Sequence, residues 1–108
     1  MARESSLVRK IMAAVKKEYP RAWVRKISDR FNRGIPDVLI LFQRTRSHAL
    51  ISIGVLFIEC KTERGRLSKV QQAEITALAG MNAIGLDVIV SRDVAKVLET
   101  LKEMGAVR

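Results

Sequence analysis

Cysteine occurs once, as Cys60, and histidine once, as His48. A single cysteine excludes an internal disulfide framework and any zinc centre built from several thiolates, and His48 has no partner at ligand spacing. No apolar run reaches the roughly 18–20 residues that span a bilayer, and the opening MARESSLVRK lacks the apolar stretch of a secretory leader. The expected location is therefore a reducing cytoplasm. Aromatic residues make up only 5% of the chain, and no repeat, low-complexity stretch or linker interrupts it. With 48% hydrophobic and 29% charged residues, the 108 residues read as one globular domain, 1–108.

Acidic residues are also scarce. Eleven Asp and Glu face twenty Lys and Arg, a formal charge of +9. The excess is uneven: residues 1–69 carry 16 bases and 6 acids, whereas residues 70–108 carry 4 bases and 5 acids. A surplus that served solubility alone would be spread evenly; a one-sided surplus suggests a binding face for a polyanion. A cationic helix with a bulky aromatic apolar face, the usual membrane-surface device, is not seen, so nucleic acid is the favoured partner.

Apolar residues at helical spacing (Leu7, Val8, Ile11, Met12, Val15, Tyr19) predict a first helix, with Ser5 or Ser6 as its cap and Pro20 as its stop. Alternation over Ala22–Ser28 predicts a half-exposed strand. A polar bend over Asp29–Gly34 leads to Asp37–Gln43, a strand apolar enough to be central, and Gln43–His48 reads as a hairpin loop before a long buried strand, Leu50–Lys61. After a basic loop, Thr62–Leu67, Ser68 is placed to cap a helix over about 69–83. Val70, Ala73, Ile75, Ala77, Leu78 and Met81 would form its apolar side. Asp87–Val90 is a fourth strand, and Ser91 a cap for a last helix with Val94, Val97, Leu98 and Leu101 on one face and Gly105 at its end. The order α-β-β-β-α-β-α predicts an α/β fold: a mixed four-stranded sheet with helices on both faces.

Three ionisable residues stand where the apolar pattern does not call for charge. Asp37 opens the second strand; Glu59 and Lys61 end the third. Side chains along a strand alternate, so Glu59 and Lys61 share a face and Cys60 takes the other. If the second and third strands form a hairpin, the start of one neighbours the end of the next, and Asp37 joins Glu59 at one sheet end. Two carboxylates suit a hard divalent cation such as Mg²⁺, which keeps several of its waters. Such an ion polarises a phosphoryl oxygen and acidifies water, and a nearby lysine can orient that water or offset charge growing on phosphorus. On a basic chain this points to phosphodiester hydrolysis.

Asp37…Glu59-Cys60-Lys61, with a literal Pro36-Asp37, resembles the PD-(D/E)xK nuclease signature. The blocks Val24-Arg25-Lys26, Gly34-Ile35-Pro36-Asp37, Phe57-Ile58-Glu59-Cys60-Lys61 and Gly65-Arg66-Leu67-Ser68…Gln71 are similar, in order and spacing, to the VRR-NUC (virus-type replication-repair nuclease) domain over about residues 4–91. The resemblance implies a restriction-endonuclease-like core and metal ligation by Asp37, Glu59 and the Cys60 main-chain carbonyl. It also implies assistance to the attacking water by Lys61, a site role for Gln71, and Glu4 reaching the metal through water. Cys60 departs mildly from the apolar or β-branched residue usual in its slot, which matters little for a backbone ligand. Single-domain members resemble phage-type enzymes that act as dimers on branched DNA, which implies a Mg²⁺-dependent endodeoxyribonuclease (Mn²⁺ substituting) that nicks four-way (Holliday) junctions in DNA repair. For a phage-encoded chain the cytoplasm would be the host's.

Blander readings stand beside these. Glu59 and Lys61 could be an ordinary strand-end ion pair, Glu4 a complement to its helix dipole, and Gln71 a solvated glutamine with Gln72 competing for its slot. Cys60, Trp23 and Tyr19 are expected to pack, and Arg44 and Arg46 to discourage edge pairing, although a basic hairpin tip could also touch a phosphate. Arg30, Arg33, Arg64, Arg66 and Lys69 flank Asp37 and Lys61 in loops and are the expected phosphate contacts, reading backbone and shape rather than base edges. A flap or general DNA nuclease of the same fold, or a DNA-binding module that does not cut, are the competing functions.

Overall fold

The computed structural model describes residues 4–28, 34–45, 51–81 and 83–108, and of Glu4, Thr45 and Ile51 the backbone only. Seven elements follow in the expected order: α1 (Glu4–Glu18), β1 (Trp23–Lys26), β2 (Val38–Thr45), β3 (Ile51–Cys60), α2 (Lys69–Gly80), β4 (Leu86–Ser91) and α3 (Val94–Glu103). They build a four-stranded sheet in the order β1-β2-β3-β4. The β1–β2 and β2–β3 pairs are antiparallel. β4 lies parallel to β3, and the crossover through α2 supplies the long connection that a parallel pair requires. The mixed α/β architecture is the one expected. Among the described residues no helix is long and apolar enough to cross a membrane.

Strand periodicity decides which face is core. Val38 pairs with Ile58 and Ile40 with Leu56. These even-numbered residues, with Val24, Phe42 and Cys60, are buried on one face. Against it lie Val8, Ile11, Val15 and Tyr19 of α1 and the turn after it, and Val97 and Leu101 of α3. Burying each of the larger aliphatic side chains contributes roughly 1.5–3 kcal/mol, so this layer carries most of the fold's stability. Phe42 fits because its partner across β3 is Gly54: a Cβ there would lie 2.3 Å from the ring. Beyond Trp23, where β1 starts, the C-terminal residues take up the edge of β2. Ala106 bridges to Arg44, and the Val107 N–H donates to the Gln43 carbonyl at 2.9 Å.

Several local expectations need correction. Helix α1 already includes Ser5 and Ser6 in its first turn, so neither is its cap. Ser91 ends β4, fully buried, with its hydroxyl on the Asp93 carbonyl; Asp93 caps α3 instead, accepting from the Lys96 N–H at 2.8 Å. Helix α2 stops at Gly80 and buries none of its residues; Val70 and Met81 of the expected apolar side are 46% and 64% exposed. The second sheet face is thus only partly covered, by α2 beside β4. Trp23 lies 43% exposed on edge strand β1, with the Arg25 guanidinium 4.5 Å from its ring centroid, while Tyr19 packs as expected. Arg44 is tied down, its Nε donating to the Met104 carbonyl at 2.7 Å, whereas Arg46 and His48 lie outside the described residues.

Candidate active site

The antiparallel pairing of β2 with β3 brings the start of one to the end of the other. Val38 opposite Ile58 sets Asp37 beside Glu59. The Asp37 carbonyl accepts from the Ile27 N–H at 2.9 Å, which ties the residue to the chain leaving β1. Its side-chain Oδ2 accepts from the Cys60 N–H at 2.7 Å. A carboxylate has several lone pairs, so accepting one N–H does not exhaust its capacity for a cation. Upstream, Gly34 adopts φ 82°, and a Cβ on it would fall 2.5–2.8 Å from Val70, backbone included. Glycine therefore lets the turn before Asp37 press directly on the start of α2.

Glu59 is 1% exposed and Lys61 6%. The Lys61 Nζ stands 4.0 Å from Glu59 Oε2, and the Gln71 Nε2 donates to the same oxygen at 3.2 Å. Gln71 also closes the capping box of α2: its Oε1 accepts from the Ser68 N–H at 2.9 Å, and its own N–H donates to the Ser68 hydroxyl at 3.1 Å. One side chain thus fixes the helix start and touches the buried carboxylate. Gln72 points away, donating to the Leu67 carbonyl. Gly65 closes over the site, since a Cβ there would meet the Lys61 stem at 3.2 Å. Burying a carboxylate and an ammonium costs several kcal/mol per ion before their attraction is counted, so a fold selected for stability alone gains little from this pair. Buried ionisable groups at the open end of a sheet are a recurrent mark of chemistry.

Asp37, Glu59, Lys61 and Gln71 therefore converge, and Cys60 supplies the main chain between them, its side chain turned into the core. Arg64 and Arg66 are exposed in the loop after β3, and Lys69 is exposed at the first position of α2, all near this end of the sheet. Glu4 begins α1, its side chain outside the described atoms; Arg30 and Arg33 lie outside the described residues. Among the described residues no group of three or more His, Cys, Asp and Glu gathers. The oxygen donors of Asp37 and Glu59 are of the type that fits a hard divalent cation, which commonly takes one or two carboxylates and fills the rest with water.

Sequence reasoning missed the support from β4. The Lys61 N–H donates to the Ser91 carbonyl at 3.0 Å, and the Arg92 guanidinium donates to the Thr62 carbonyl. No motif marks Arg92: the residue after Ser91 lies beside the residues after Cys60 because of the register in which β4 pairs with β3.

Comparisons with known proteins bear on the family and the fold. A search of curated proteins finds no match. A solved structure described as a VRR_NUC domain shares the fold at TM-score 0.60 and 23% identity, covering 94% of this chain and 97% of that one. The family model of the VRR-NUC domain matches residues 1–93, which takes in every element of the site. The chain belongs to the VRR-NUC domain family and has its nuclease fold.

Proposed function

We propose that this chain is a divalent-metal-dependent DNA endonuclease that nicks branched DNA, four-way junctions foremost, as a homodimer. The observation that carries the reading is the Asp37 carboxylate seated on the Cys60 N–H, which gathers two acids and a lysine from distant parts of the chain. Asp37, Glu59 and the Cys60 carbonyl would hold Mg²⁺, or Mn²⁺ in its place, with Glu4 contributing through water. Such an ion supplies Lewis acidity at the phosphoryl oxygen and a more acidic water. Lys61 orients the attacking water and offsets the negative charge that builds on phosphorus, and Gln71 holds Glu59 in place. Arg64, Arg66 and Lys69, with Arg30 and Arg33, take the phosphates.

A four-way junction requires two symmetric cuts, which a twofold dimer supplies from one gene product. The apolar surface left uncovered supports a partner: Met81 after α2, Ile84 before β4 and Ile53 on β3 are 64%, 82% and 57% exposed. The test is incubation with labelled junction, flap and linear duplex in Mg²⁺, Mn²⁺ or EDTA, with sedimentation under the same conditions. Metal-dependent paired nicks in the junction by a dimer support the reading. Preferential cutting of flaps or duplex would make it a flap or general nuclease, and binding without cleavage in any metal a DNA-binding module.

A further inference from the structure

Where α1 meets the start of α3 there is a cavity of about 270 Å³, lined by Ser6, Leu7, Lys10, Arg92, Asp93 and Val94. Apart from Arg92, none of these residues belongs to the site described above, and the cavity adjoins it. Arg92 follows Ser91, whose carbonyl holds the Lys61 N–H, and the Arg92 guanidinium itself reaches the Thr62 carbonyl, one residue past Lys61. One main-chain and one side-chain hydrogen bond therefore tie the wall of the cavity to the chain around Lys61.

The lining has two characters. Leu7 and Val94 are half-buried and pack on the core, forming an apolar floor. Lys10 and Arg92 are exposed at the rim, and Ser6 completes the lining. The one acid, Asp93, has its carboxylate on the Lys96 N–H as the cap of α3, so its charge is partly engaged. Two cations over an apolar floor match a sugar–phosphate unit, whose phosphate is anionic and whose sugar presents C–H surface. The volume lies just under the roughly 300–1,000 Å³ of pockets for drug-sized ligands, a scale suited to one nucleotide rather than a large cofactor.

We propose that this cavity is a subsite for a single nucleotide of the DNA strand, with its phosphate on Lys10 and Arg92 and its sugar against Leu7 and Val94. The proposal rests on the nuclease reading and gives it a register: a strand seated here is fixed at a set distance from the scissile position. Lys10 and Arg92 are then positioning residues.

Lys10 is the clean probe, because its side chain is exposed and it is not a core residue of α1. Binding of a labelled four-way junction in EDTA is measured across salt concentrations for the wild type, Lys10→Ala, Lys10→Arg and Lys17→Ala, the last being an exposed lysine two turns further along α1. Lys10→Ala should weaken binding about five- to tenfold and reduce the slope of log K against log salt by about 0.9, one phosphate contact. In Mg²⁺ the loss should fall on KM rather than kcat. Lys10→Arg should restore binding, and Lys17→Ala should leave it unchanged. Equal losses in Lys10→Ala and Lys17→Ala, or no loss in Lys10→Ala while the wild type binds and cuts, overturn the subsite alone. A wild type that does not bind DNA at all overturns the nuclease reading with it.

Discussion

Asp37 Oδ2 and the Cys60 N–H lie 2.7 Å apart, although 23 positions separate them in the chain. This bond joins the PD turn to the ExK strand end. It makes the position of the first acid depend on the β2–β3 register rather than on a free rotamer. A one-residue slip would send Glu59 and Lys61 to the core face and bring Cys60 out, so the apolar pattern that fixes the register also fixes the site.

Metal binding should be visible without any substrate. A cation that binds only the folded chain stabilises it by about 2.7 kcal/mol at a hundredfold excess over Kd. Thermal melts with Mg²⁺ or Mn²⁺ against EDTA should show a raised Tm for the wild type and none for Asp37→Asn. Asparagine keeps an oxygen to accept the Cys60 N–H, so the variant should fold. Equal shifts in both proteins would place the ion elsewhere.

The turn before Asp37 should tolerate only glycine at position 34. Gly34→Ala meets both a positive φ and the Val70 backbone, and should destabilise by about 1–3 kcal/mol. Urea denaturation should show a lower midpoint with an unchanged slope. A midpoint equal to that of the wild type would mean that α2 is not pressed on this turn.

Gln71 serves the cap and the carboxylate together, and two substitutions separate these. Ser68→Ala breaks the capping box alone and should cost about 0.5–2 kcal/mol, with cleavage retained. Gln71→Glu keeps an acceptor for the Ser68 N–H but sets a second carboxylate against Glu59 Oε2. It should lose cleavage with little change in helix content by circular dichroism. Cleavage by Gln71→Glu at the wild-type rate would make Gln71 a cap and nothing more.

Arg64 and Arg66 lie in an exposed loop and make no contribution to the core. Replacing both with alanine should weaken junction binding and reduce its salt slope by about two, at roughly 0.9 per phosphate contact. The melting temperature should not move. An unchanged slope would route the DNA past another face.

The parts of this fold legible in the sequence are those set by local pattern. The Ser68 cap, the central apolar strands and the convergence of Asp37 with Glu59 all follow from spacing and hairpin geometry. The parts that were not legible depend on competition or on tertiary coverage. Ser91 and Asp93 are both good caps, and the buried end of β4 claims the serine, leaving the aspartate to the helix. The alternation predicted a half-exposed strand but could not show that β1 is an edge strand with the Trp23 face open. The apolar residues of α2 look like a core stripe, but whether anything covers them depends on what lies across from them. Arg92 carries no motif, and its place beside Lys61 follows only from the parallel pairing of β3 with β4.

The most direct test of the central claim, that Asp37, Glu59 and Lys61 form one hydrolytic centre, is single-turnover nicking of a labelled four-way junction by Asp37→Asn and Lys61→Ala, with binding measured on the same samples. The expected result is loss of cleavage by at least about a hundredfold in both, the usual scale for removing a preorganised catalytic group, with junction affinity close to that of the wild type. Cleavage by either variant at the wild-type rate would contradict the account.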